Sequence, residues 1–177
     1  MGFVEVPDDV YYGAQTKRAS DNFPISNIKI SLQLIYSIAT IKRSAAIVNH
    51  KLGKLELKLK NAIVEASDDI IAKKLNDNFI VDIFQTGSGT STNMNVNEVI
   101  ANRANEILGG KLGDKAPIHP NDHVNMGQSS NDVIPSSIHI SAKKSITENL
   151  IPSLKKLSKS LKKKEKEFDK IIKIGRT

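Results

Sequence analysis

Apolar residues stand at positions 134, 138, 142, 146, 150, 154, 157 and 161, three or four apart throughout: Ile, Ile, Ala, Ile, Leu, Leu, Leu and Leu. That spacing is the helix period, and it predicts one long helix from Asn131 nearly to the end of the chain, apolar along one stripe. Only other long helices lying alongside can bury a stripe of this length. Few candidates remain among the 177 residues, so the pattern asks for partner chains or for further sequence. Two prolines test the assignment. Pro135 falls in the first turn if Asn131 or Asp132 is the N-cap, where its missing N–H costs little. Pro152 is interior and predicts a kink or break near Leu150, with the stripe resuming beyond it.

Shorter helices account for much of the rest. Leu34, Ile38, Ile41, Ala45, Val48 and Leu52 predict a helix closing at Gly53, a natural C′ residue. Leu55, Leu59, Ile63, Ala66 and Ile70 set out a second. Val96, Ile100, Arg103, Ala104, Ile107 and Leu108 set out a third, stopped by Gly109 and Gly110. The start, with Pro7, reads as extended, and residues 111–130 read as loop. The run FIVDIF at 79–84 fits a strand or a buried connector equally well. Aromatics at 5%, with 39% hydrophobic residues and little Gly or Pro, favour a mainly α fold over a sandwich or barrel.

The chain has no Cys, so it has neither a disulfide framework nor a thiolate metal site, and a reducing compartment is the default. Its start, MGFVEVPDD, has neither a basic nor an apolar leader region, and Val6 stands where a myristoylation signal needs Ser or Thr. No apolar run approaches a membrane span, and the expectation is a soluble intracellular protein. The net charge of +7 belongs to one segment: residues 151–177 hold ten Lys or Arg against Glu165, Glu167 and Asp169. Apolar residues at 154, 157, 161, 168 and 171 share one helical face there, so the lysines occupy the other. Without stacking aromatics, apart from Phe168 on the apolar stripe, a solvated face fits better than a nucleic-acid site.

Two uncharged clusters lead directly into predicted helices: TGSGTSTNMN at 86–95 and QSSND at 128–132. Free N–H groups at a helix start, with hydroxyls and amides nearby, favour an anion. Ser88, Thr90, Ser129, Ser130 and Asn131 would then be donors to carboxylate or phosphate. The same residue types also serve as ordinary caps, but both clusters carry more hydroxyls than a cap requires. A dinucleotide fingerprint fails because Thr92 holds the third glycine position, and a Walker loop fails because no Lys-Ser/Thr follows the glycines. His119 and His123 are four apart, but Pro120 between them argues against an intact helix, and no Glu follows His119, so zinc is disfavoured. His50 and His139 fall on predicted helices as surface or packing residues.

TGSGTSTNMNVNEVIANRA (86–104) and HPNDHVNMGQSSNDVIPSS (119–137) resemble signature regions of class II fumarase, in the fumarase/aspartase superfamily. EVPDDVYYGAQTKRA near the start and KIGRT at the end are similar to that family in the same order. The resemblance implies its fold: an N-terminal helical domain over 1–128, and over 129–177 the first long helix of a central bundle, cut short at Thr177. It implies a homotetrameric, cofactor-free and metal-free lyase that reversibly hydrates fumarate to (S)-malate, in the cytoplasm or, from a eukaryote, the mitochondrial matrix. Ser88, Gly89, Thr90, Ser129, Ser130, Asn131 and Thr177 correspond to substrate-carboxylate binders. His119, Pro120, Asn121 and Asp122 correspond to a second dicarboxylate site.

Neutral donors suit that chemistry. Removing a C–H proton beside a carboxylate adds negative charge to it, and prearranged hydroxyls and amides can be aimed at the oxygens where that charge develops. The chain departs from the family at Ala116, where members commonly carry a basic residue, and its start lies later than theirs. It stops just before the family's catalytic His and lacks the later loop with the proposed base, so no general base is assigned and the 177 residues alone are expected to be inactive. Two other readings stand beside it. Aspartase usually shows GGAGT where this chain has Thr86 to Thr90, Asn where His119 stands, and STND at 129–132. A non-enzymatic polyanion-binding helical module would use the basic last helix.

Overall fold

The computed structural model describes residues 3–176 and divides into two compact units, one ending at Ser141 and one beginning at Ala142. In the first, α2 (Leu32–Lys51), α3 (Leu57–Ile71) and α4 (Thr90–Ile107) pack together, with α1 (Ala14–Asn22) against α4. No strand occurs among the described residues, and one antiparallel bridge joins Lys29 to Asp82. The run at 79–84 is therefore a connector, anchored by Phe79 and Val81 in the interior.

Three helices end in the same way. After α2, Gly53 (φ 69°) donates to the His50 carbonyl and Lys54 to that of Asn49, both at 2.9 Å. After α4, Gly109 and Gly110 repeat the pattern on Glu106 and Asn105. These are Schellman closures, which need a left-handed residue at C′. The glycines were expected to stop their helices and do. After α3 the same place is held by Lys73, with φ 68°, which the sequence does not signal.

The core face of α2 differs from expectation. Ile35, Ile38, Ala39, Lys42 and Ala46 are buried, whereas Val48 and Leu52 of the expected stripe are 52% and 66% exposed. Helix α2 carries two overlapping apolar stripes, and α3 and α4 take the one that contains a lysine. They bring Ile63, Ala66 and Ile70, and Val96, Val99 and Ile100, to the shared core. α4 also starts six residues earlier than the stripe from Val96 implied, so Ser91, Thr92, Asn93 and Asn95 lie inside the helix and are buried.

Helix α1 escapes sequence reading because its stabiliser is remote. Glu98, buried on α4, accepts from the amides of Gly13 (2.9 Å), Gln15 (3.0 Å) and Thr16 (3.0 Å) and from the Thr16 hydroxyl (2.6 Å). A carboxylate on another helix thus supplies the cap and the negative charge that α1 lacks in its own first turn.

α5 (Ser130–Ser145) begins earlier than expected, and Ser129 caps it: its carbonyl accepts from Asp132 and Val133, and its hydroxyl from the Asn131 amide. Pro135 is then the sixth residue of the helix, not in its first turn, and the bond that would run back to the Asn131 carbonyl is not made. In the second unit a π-turn over Ile146–Leu150 precedes α6 (Ile151–Phe168). The wider turn accommodates Pro152, whose ring removes one donor and crowds the carbonyl four residues back. Beyond it the apolar residues of α6 continue exposed, and Lys164 sits 5.2 Å from the centre of the Phe168 ring.

Candidate functional site

The turn before α4 is left-handed at two successive residues, Ser88 (φ 62°, ψ 15°) and Gly89 (φ 66°, ψ 23°). Gly89 suits that conformation, but serine is strained in it by on the order of 1 kcal/mol. The turn leaves Ser88 and Thr90 exposed. Behind it, the Gln85 side-chain oxygen accepts from the Thr92 amide (2.8 Å) and hydroxyl (2.9 Å), capping α4, while its NH2 group donates to the Asp82 carbonyl. Capping of α4 therefore falls to Gln85, and the Ser88 hydroxyl is not spent on it.

The start of α5 meets this turn. A Cβ built on Gly89 would lie 3.1 Å from the Ile134 side chain, so the glycine lets the two segments approach. Asn93, three residues into α4, donates to the Ser130 hydroxyl at 3.1 Å. Two of the expected groups are thereby brought side by side: Ser88, Gly89 and Thr90 on one segment, Ser129, Ser130 and Asn131 on the other. Thr177 lies outside the described residues.

Beneath them is a buried amide cluster that the sequence reading missed. The Asn125 side-chain oxygen accepts from Lys42 Nζ (2.6 Å), Asn93 Nδ2 (3.2 Å) and Asn97 Nδ2 (3.3 Å), and its NH2 group donates to the Gln128 carbonyl (3.1 Å). Burial alone pushes the Lys42 ammonium down to about 7, with no charged neighbour contributing. The available signal was one lysine at 42 amid buried positions 35, 38, 39 and 46, and asparagines four apart at 93 and 97.

The HPND run forms a separate feature. His119 caps a π-turn, Pro120–Val124, its Nδ1 accepting from the amides of Asn121 and Asp122 at 3.3 Å and lying 3.2 Å from Asp122 Oδ2. His123 Nδ1 accepts from the His119 amide at 2.8 Å. With Nδ1 accepting, each ring carries a proton on Nε2. Pro120 is buried, whereas Asn121 and Asp122 are exposed. No group of three His, Cys, Asp or Glu with metal-binding geometry occurs among the described residues.

A family model described as Lyase matches residues 2–177. The chain belongs to this lyase family. The class II fumarate hydratase of Campylobacter jejuni is 56% identical over 177 residues, which is all of this chain and 38% of that protein. Human mitochondrial fumarate hydratase is 53% identical over 179 residues, 100% of this chain and 35% of that protein. Among solved structures, recombinant class II fumarase from Schistosoma mansoni matches with a TM-score of 0.92 at 45% identity, over 98% of this chain and 37% of that one. The fumarate lyase:delta crystallin protein from Brucella melitensis matches with a TM-score of 0.93 at 46% identity, over 97% and 40% respectively. This lyase chain thus spans between 35% and 40% of the length of these relatives, and its helices have the fold of their N-terminal region. No helix among the described residues is long and apolar enough to cross a membrane.

Proposed function

We propose that these residues form the N-terminal part of a class II fumarate hydratase subunit, which interconverts fumarate and (S)-malate in the cytoplasm without metal or cofactor. The observation that carries this reading is the meeting of two hydroxyl-rich helix starts, through Gly89 on Ile134 and Asn93 on Ser130. Helix starts present N–H groups and the positive end of the helix dipole. Ser88, Gly89, Thr90, Ser129, Ser130 and Asn131 would receive one carboxylate of a small diacid there, and Thr177 would add a further contact.

In the dehydration direction, a base removes the malate C–H proton beside that carboxylate, whose oxygens take up the electron pair. The hydroxyl on the neighbouring carbon then departs with a proton as water, and the C=C bond of fumarate forms. Neutral donors fixed at the carboxylate oxygens gain more from the intermediate, in which that one carboxylate carries two charges, than from the substrate, which lowers the barrier. The base would come from sequence beyond Thr177. His119, Pro120, Asn121 and Asp122 would form the second dicarboxylate site, with the His119 Nε2–H as donor. In our reading residues 129–177 begin a central bundle, and the apolar row of the last helix supports assembly: Leu150, Leu154, Leu157 and Leu161 are 51–61% exposed, a row suited to the neighbouring long helices of a homotetramer.

The test is malate turnover by the complete polypeptide, followed by fumarate absorbance, with Ser130→Ala alongside. Loss of one charge-assisted hydrogen bond should lower kcat/KM about tenfold or more. Turnover of aspartate but not malate would overturn the fumarate hydratase reading.

A further inference from the structure

Lys42 has no exposed surface, and among the described residues it forms no ion pair. Its hydrogen-bond partner is a neutral amide, the Asn125 side-chain oxygen. An ammonium so placed is costly, and packing alone would be served better by leucine or methionine. Its position accounts for it. Asn125 fixes the turn into α5 through the Gln128 carbonyl, and Asn93, which shares the Asn125 oxygen with Lys42, donates onward to Ser130. Since Asn93 fills a lone pair of the Ser130 oxygen, the hydroxyl's own hydrogen is directed elsewhere, which makes Ser130 a donor.

The cluster also has acceptors to spare. The side-chain oxygens of Asn93, Asn97 and Gln128 are buried without a donor among the described residues. An ammonium has three N–H groups, and Asn125 engages one. Lys42 has an N–H for the Asn125 oxygen whether neutral or protonated, and that bond fixes the amide whose same oxygen accepts from Asn93 as Asn93 presents its NH2 to Ser130.

We infer that Lys42 is a positioning residue: from the core it anchors Asn125 and, through Asn93, sets Ser130 as a hydrogen-bond donor to the substrate carboxylate. This rests on the reading of Ser130 as a carboxylate binder.

A double-mutant cycle on the complete, assembled enzyme tests it: Lys42→Met, Ser130→Ala and the pair, with kcat and KM measured for malate, and assembly checked by size-exclusion chromatography. Lys42→Met should lower kcat/KM about tenfold, mainly through KM, and should cost little further in the Ser130→Ala background, because the two act through one bond. Additive losses, or an unaffected Lys42→Met enzyme beside an impaired Ser130→Ala one, would refute the positioning role alone. An unaffected Ser130→Ala enzyme would instead refute the site reading on which it rests. If Lys42→Met does not assemble, Asn93→Ala breaks the same relay without touching the buried charge and carries the same expectation.

Discussion

Replacing Lys42 by methionine should change how stability depends on pH, and the direction follows from its burial. The ammonium titrates near 7 in the folded protein against an ordinary 10.5. Between those values the unfolded chain holds a proton that the folded chain has released, so folded stability rises with pH through that window. The benefit is fully present above about 10.5 and is lost as pH falls through about 7, where the buried group must carry its charge. One proton corresponds to about 1.4 kcal/mol per pH unit, and integrating from about pH 6 to about pH 8.5 gives on the order of 2 kcal/mol. Methionine fills a similar volume and does not titrate. Urea denaturation of parent and Lys42→Met at those two pH values, at one protein concentration, isolates the effect because every other ionisable group is common to both. The parent should gain on the order of 2 kcal/mol more than the variant on going to the higher pH. Equal gains would mean that Lys42 keeps its proton throughout, and the argument from desolvation would fail.

Gly89→Ala should destabilise by about 2 kcal/mol, combining left-handed strain with the 3.1 Å approach to Ile134, whereas Gly53→Ala, with open space around it, should show the strain alone at about 1 kcal/mol; thermal unfolding compares them. Lys73→Gly should stabilise by about 0.5–1 kcal/mol in the same assay, since Lys73 occupies a left-handed closure that glycine adopts freely. Glu98→Gln places an NH2 group against donors that now share a carboxylate and should cost about 3 kcal/mol, with faster proteolysis around α1 as the local signature. Leu154→Asp with Leu157→Asp in the complete polypeptide should shift its size-exclusion profile to smaller species while leaving the helical signal of the first unit in place.

The sequence by itself determined what repeats along it or is local. Helix periods predicted α2, α3 and the helices after Asn131, because apolar spacing of three and four leaves little choice of local conformation. Gly53 and Gly109 marked helix ends, because left-handed closure needs a residue without Cβ. The two hydroxyl-rich helix starts were legible as candidate anion sites because the free N–H groups of a helix start and the hydroxyls beside them are neighbours in sequence. What lay outside these rules is non-local. Helix α1 depends on Glu98, more than eighty residues away in sequence, whose carboxylate replaces a missing cap. The buried face of α2 was ambiguous until α3 and α4 packed on one of its two stripes, which placed Lys42 inside. The start of α4 at Thr90 rests on Gln85 folding back over it, so a run that reads as loop becomes helix. Tertiary structure also decided that the two helix starts meet. Buried polar groups must find partners wherever the chain offers them, and pairings such as Asn93 with Ser130 or Lys42 with Asn125 follow from three-dimensional proximity, which leaves no period in the sequence.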